Sequence, residues 1–158
     1  MTYEDAVAVI PAGIYSHFKG NYYRVLYVAR HSETNEPIVV YRALYGDRGV
    51  WIRPADMWNE TVERDGKKCL RFRLLSVQER VAYYEQIFDE LSATAREEIK
   101  LTDEMKSKLL LLEEYYTSGE WQADCEADEA DLFPADLKRG ILSQDGVSDL
   151  LELLQPGI

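Results

Sequence analysis

Three observations predict an α+β chain: a small SH3-like antiparallel β-barrel followed by an acidic, all-helical segment. Residues 13–75 alternate apolar and polar side chains between turn residues. From Ser76 the period lengthens to that of a helix. The charge changes sign at the same place: residues 1–75 hold 11 Lys/Arg against 9 Asp/Glu, and residues 76–158 hold 7 against 20, within a net charge of −11. The asymmetry predicts two domains, 1–75 and 76–158.

In the first domain, Ile14 and Phe18 alternate with Tyr15, His17 and Lys19, which sets the two groups on opposite faces of a strand. Gly20-Asn21 offers the positive φ of a tight hairpin. A strand rich in Tyr and Val follows from Tyr22 to His31, then a polar loop from Ser32 to Pro37. Ile38 to Tyr45 reads as a strand and Gly46 to Gly49 as a turn. Val50 to Arg53 reads as a short strand that Pro54, lacking an N–H, must end. Asp65-Gly66 predicts a hairpin between Thr61–Arg64 and Lys67–Leu74, where Leu70, Phe72 and Leu74 alternate with Arg71 and Arg73. So many short strands would bare one face as an open sheet, and closure into a barrel removes the exposed edges.

Ser76 and Glu79 fit a capping box. Val77, Val81, Tyr84, Phe88, Leu91 and Ala95 then mark one helix face, and Met105, Leu109, Leu112 and Tyr116 keep the phase. One long helix or two satisfy this pattern. Thr102-Asp103-Glu104 resembles a helix start, so two are expected. Leu109 to Leu112 needs cover on more than one side, from this chain or from a second subunit, and a homodimer through the helices is one expectation. After Gly119 the chain reads as loop-rich and acidic to Phe133. A short helix is expected from Pro134 to Gly140, and a last one, capped by Ser143, from Asp145 to Leu154, closed by Pro156-Gly157.

Composition excludes several classes. No apolar run approaches the roughly 18 residues of a membrane span, and the first fifteen residues lack the basic start of a secretory signal. Cys69 and Cys125 stand 56 positions apart without a CxxC motif, so a reducing cytoplasm is the expected location. The two histidines are 14 apart and neither cysteine has a partner at ligand spacing, so neither a metal nor a cofactor is expected. There is no phosphate-cradling glycine motif. The acidic second half repels nucleic acid and anionic membranes.

The chemistry-bearing side chains lie mainly in the first half. Tyr15, His17 and Lys19 share a strand face, as do Tyr41 and Tyr45, and as do Trp51 and Arg53; Tyr23, His31 and Arg42 complete the candidates. Converging faces would make a pocket with aromatic walls, an imidazole and a fixed cation, suited to an anionic, planar or peptide-like ligand. Against that stands packing: most of the aromatics are expected to fill the core. His31-Ser32-Glu33 reads as a turn, because neighbours on a strand point to opposite faces. In the helical half Tyr115, Tyr116, Trp121, Lys138 and Arg139 are interaction candidates. For the aromatics packing is the simpler account, and Lys138-Arg139 also complements a helix C-terminus.

Two stretches carry ordered motifs. Tyr15, His17, Lys19, Gly20 and Tyr23, then His31, Glu33 and Thr34, then Val40, Tyr41, Leu44 and Tyr45, then Trp51, Arg53 and Pro54 together resemble the bacterial family called domain of unknown function 1653. Tyr115, Tyr116, Ser118, Trp121 and Asp124, followed by Pro134, Asp136, Leu137, Lys138, Arg139, Gly140, Leu142, Ser143 and Asp145, resemble domain of unknown function 4298. Neither resemblance implies an activity. The reading that follows is a non-catalytic binding or adaptor protein, whose barrel takes a small anionic or peptide-like ligand and whose helices contact protein. Its competitors are a small enzyme using His17 or His31 with Arg53 or Arg42 as anion clamp, and a nucleic-acid-binding barrel with stacked tyrosines, which the charge disfavours.

Overall fold

A helix precedes every strand that the alternation predicts. In the computed structural model, which describes residues 1–154, α1 (Tyr3–Val9) opens on a capping box: the Thr2 hydroxyl accepts the Asp5 N–H, and the Asp5 carboxylate accepts the Thr2 N–H. So short a helix is marginal alone; burial of Ala6 and Ile10 in the core holds it.

The chain forms two compact units that meet at Leu75 and Ser76. Unit 1 continues with β1 (Gly13–His17), β2 (Tyr22–Arg30), β3 (Pro37–Ala43), β4 (Val50–Pro54), the single turn α2 (Ala55–Trp58), β5 (Thr61–Arg64), β6 (Lys67–Leu70) and β7 (Phe72–Leu74). Five strands pair antiparallel in the order β4-β3-β2-β1-β7, and β5 pairs with β6 in a separate ribbon.

The sheet is not closed into a barrel, because no ladder joins β4 to β7. The stretch 67–74, expected as one strand, is two. At Arg71 the backbone N–H donates to Glu60 O and the carbonyl accepts from Phe18 N–H, so the chain leaves β5 for β1 at that residue. Only three residues remain for β7, and Pro54 ends β4. Apolar cover for the sheet comes from elsewhere: Ala6 and Ile10 of the α1 segment and Ala55 and Trp58 of α2 join Tyr15, Val25, Val39, Tyr41 and Phe72 in one core. Of the alternating set Leu70, Phe72 and Leu74, Phe72 alone is buried. Leu70 sits in the two-stranded ribbon and Leu74 on a sheet edge, where no second layer covers them.

One turn and one bulge fix the local course of the strands. Asp65 and Gly66 both have positive φ (53° and 76°), the conformation of a two-residue hairpin turn whose twist matches its strands. In β2 the register slips at Leu26, between Val25 and Tyr27. This bulge sends Tyr23, Val25 and then Val28 to the core face, which a strict period of two does not.

Unit 2 comprises α3 (Val77–Arg96), α4 (Asp103–Tyr116), α5 (Gly119–Glu129), a 3-10 turn at Gly140–Leu142 and α6 (Gln144–Leu154). Ser76 caps α3 with Glu79 reciprocating, Thr102 caps α4 at Met105, and Glu98 closes the gap between them with a left-handed φ of 52°. The Pro156-Gly157 stop lies outside the described residues. Residues 119–129, expected as loop, are helical because the Ser118 hydroxyl caps them at the Trp121 N–H. The helix expected from Pro134 is instead a turn, Leu137 N–H to Pro134 O, followed by the 3-10 turn. The buried face of α3 is rotated from the expected one: Val81, Tyr84, Ile87, Leu91 and Thr94 are buried, whereas Val77 is exposed. Within the unit Leu109, Leu111 and Leu112 are all buried.

Candidate functional site

The strand register collects the site. His17 pairs with Phe72, Tyr15 with Tyr23, Val25 with Tyr41, Tyr41 with Trp51 and Val39 with Arg53. Residues directly opposite one another share a face, so Tyr15, His17, Tyr23, Tyr41, Trp51, Arg53 and Phe72 stand on the side of the sheet that α2 covers.

Phe72 is the hub. Trp58 of α2 stacks on it with ring centroids 3.7 Å apart. The His17 imidazole lies 4.8 Å away, Tyr23 5.6 Å, the Arg53 guanidinium 5.7 Å and Tyr41 6.3 Å. Tyr45 joins through Tyr23, their hydroxyls 2.7 Å apart. His17 also touches Phe18, at 4.6 Å, with the Arg71 guanidinium and the Lys19 ammonium 5.8 and 5.7 Å from the Phe18 ring.

Electrostatics follow from this packing. Burial, and then the positive charges of Arg71, Lys19 and Arg53, hold the His17 pKa below the ordinary imidazole value. Its Nδ1 accepts the Lys19 backbone N–H at 3.2 Å, which places the neutral ring's proton on Nε2. Burial and the bond to Tyr45 push the Tyr23 phenol up to about 12. Among the described residues the buried Nε atoms of Arg53 and Arg71 and the indole Nε1 of Trp58, a residue only 1% exposed, have no acceptor, while Arg71 Nη2 pairs with Glu60 at 3.2 Å. A buried donor left unbonded costs about 1–3 kcal/mol.

The structure thus brings together His17, Tyr23, Tyr41, Tyr45 and Arg53, with Lys19 at the rim. Tyr15 shares their face, but its hydroxyl is committed to Pro11 O at 2.8 Å. Trp51 is 60% exposed at the sheet edge. Arg42 pairs with Val50 on the opposite face. His31 lies beyond the far end of β2, where its Nδ1 accepts the N–H groups of Glu33 and Thr34 and so caps its own turn. Trp58, Phe18, Arg71 and Phe72 were not among the site candidates that the sequence suggested, the last three entering only through the alternation of their strands. Phe72 showed in the alternation of its strand; Trp58, on a one-turn helix, belongs to no periodic pattern.

In unit 2 the interaction candidates bond within the unit. Tyr115 is buried, stacks on Tyr84 at 3.8 Å and donates to Asp124 at 2.6 Å. Asp124 also accepts Arg80 Nε and Nη2, at 3.0 and 2.5 Å. Tyr116 packs edge-on to Trp121, whose Nε1 donates to Ile141 O. Lys138 pairs with Asp89 and Arg139 with Asp128. A groove of about 490 Å³ lies along α3, lined by Glu85, Asp89, Glu90, Asp136 and Lys138 among others, and contains no residue of the Phe72 cluster. Among the described residues no His, Cys, Asp or Glu side chains group so as to hold a metal, and no helix is long and apolar enough to cross a membrane.

Fold and site together define an α+β protein in which an antiparallel sheet with a basic, aromatic surface precedes a helical unit. Residues 13–74 match the family described as "Protein of unknown function (DUF1653)", and residues 78–155 match "Domain of unknown function (DUF4298)". The chain belongs to these two families in tandem, the first forming its sheet and the second its helices. A crystal structure of a protein belonging to DUF1653 from Bordetella bronchiseptica is 36% identical over 44% of this chain and 92% of its own, with a TM-score of 0.42. No curated protein matches the sequence.

Proposed function

We propose that unit 1 is a non-catalytic binding module that holds a small anionic or peptide-like ligand over the Phe72 cluster. The observation that carries this reading is the group of buried donors without acceptors, Trp58 Nε1 and the Nε atoms of Arg53 and Arg71, beside a neutral His17 and a ring of aromatic faces. Cations fix the sign of the ligand, and the rings accept a planar or apolar body. A carboxylate or phosphate oxygen that enters beside Phe72 displaces part of this packing and supplies the acceptor that the sealed donors lack.

The meander β1 to β4 with β7 returned to β1 supports an SH3-like arrangement left open between its first and last edges. A cytoplasmic adaptor is the setting that best suits such a module and an acidic chain with unpaired cysteines. The helical unit's part in protein contact has less support, because the side chains nominated for it are bonded within the unit.

A thermal-shift screen of inorganic phosphate, small carboxylates and nucleotides tests the reading. Wild type is expected to be stabilised by at least one of them, and Arg53→Ala and Trp58→Phe to lose that shift. If no anion shifts wild type, or if both variants respond as wild type does, the reading is wrong.

A further inference from the structure

The outer edge of the sheet is β4, and it lacks the usual protection. Native edges are blunted by charge, proline, bulges or brevity. Here Arg53 and Pro54 come only at the end of the strand, and its first three residues are apolar and open: Val50, Trp51 and Ile52 are 49, 60 and 67% exposed. The free backbone groups can be located. The Ala43 N–H donates to Gly49 O at 3.1 Å, so along this antiparallel pair the bonded partners are Tyr41 with Trp51 and Val39 with Arg53. Val50 and Ile52 therefore turn their N–H and C=O groups away from β3, toward solvent.

Side chains frame that edge on both faces. Ile52 pairs with Val40, and Val40 with Tyr27, which is itself 60% exposed; this makes an apolar row across one face. Trp51 stands on the other. Each face also carries an arginine whose buried Nε has no acceptor: Arg42 beside Val50, and Arg53 beside the Phe72 cluster. From Pro37 to Pro54 the chain holds Arg42, Arg48 and Arg53 against Asp47 alone. An added strand alternates its side chains between the two faces, so a segment bearing acidic and apolar residues would set carboxylates against arginines while its backbone completes the ladder.

We propose that β4 accepts an extended acidic peptide as a sixth strand, the peptide's backbone bonding Val50 and Ile52 and its carboxylates meeting Arg42 and Arg53. The proposal deepens the reading of the Phe72 surface as an anion site and rests on it, since Arg53 belongs to both.

Selection of short random peptides against the full chain provides the test. Enriched peptides are expected to alternate apolar residues with Asp or Glu, and to blue-shift Trp51 emission, a change that Trp51→Phe removes. Ile52→Pro deletes an outward donor while leaving the bonds to β3 in place, and should weaken these peptides at least about tenfold. Ile52→Thr, which keeps the N–H, should weaken them much less. N-methylation of alternate peptide amides should abolish binding to wild type, a check that needs no variant to fold. The proposal is overturned if no peptide is enriched, or if Ile52→Pro and the methylated peptides bind as well as their parents. It is also overturned if β4 instead pairs two copies of this chain, seen in sedimentation as a dimer that Ile52→Pro dissociates. Small anions that bind through Arg53 without any peptide selection would leave the Phe72 reading standing and end this one. Peptides that bind through Ile52 without any anion response would do the reverse.

Discussion

Trp58 and Phe72 lie face to face, 3.7 Å between centroids and 3° between planes, although one sits on a single helical turn and the other on a three-residue strand. The stack joins the two short elements that cover and close the core face. Both residues are buried, and His17, Tyr23, Tyr41 and Arg53 take their positions from Phe72.

Truncating the hub should therefore cost stability as well as order. Phe72→Ala is expected to destabilise unit 1 by about 3–5 kcal/mol, measured as a lowered urea midpoint of the sheet unit. Phe72→Leu should cost distinctly less. Equal, small losses in both variants would show that the stack contributes little.

His17 should titrate below the ordinary value of 6.5 when followed by NMR. Arg53→Gln removes one of the cations that depress it and should move the midpoint up. The linkage has a definite sign. A histidine whose folded pKa is lowered binds protons more tightly when unfolded, so its contribution is complete above the unfolded pKa and is lost as pH falls through the window below it. Unit 1 should weaken on acidification across that window, and His17→Gln should flatten the dependence.

Asp124 is 1% exposed and bonded to both Arg80 and Tyr115. Removing it leaves a half-buried guanidinium with Glu120 at 3.4 Å as its remaining partner, and a buried phenol without its acceptor. Asp124→Ala is expected to cost about 3–5 kcal/mol, read from the helical signal during denaturation. Replacing Arg80 and Asp124 together by apolar residues should recover part of the loss; a double variant as unstable as the single one would contradict the pairing.

The cap at Ser76 gives a smaller and more local effect. Ser76→Ala should lower the stability of unit 2 by about 1 kcal/mol and raise hydrogen exchange in the first turn of α3, at the Glu79 amide that the hydroxyl now holds. Ser76→Asp should restore protection.

Local chemistry was legible wherever neighbours in sequence settle it. The Ser76 box, the Thr102 cap, the Asp65-Gly66 turn and the end of β4 at Pro54 all stand where their residues placed them. So does the His31 turn. The Thr2–Asp5 box was equally local and was passed over. The helix at 119–129 was hidden by acidic composition, which resembles that of a loop until Ser118 is recognised as its cap.

By itself the sequence determined the change from strands to helices at Ser76, the run of strands from Gly13 to Arg64 and the capped starts of α3 and α4, because φ preferences, caps and side-chain period act over a few positions. Tertiary structure alone decided the rest. The change of partner at Arg71 left the sheet open, and the slip at Leu26 chose which tyrosines face inward. Trp58 was carried onto Phe72 by contacts between residues far apart in the chain, and whether such contacts form depends on loop closure and packing that no short window encodes.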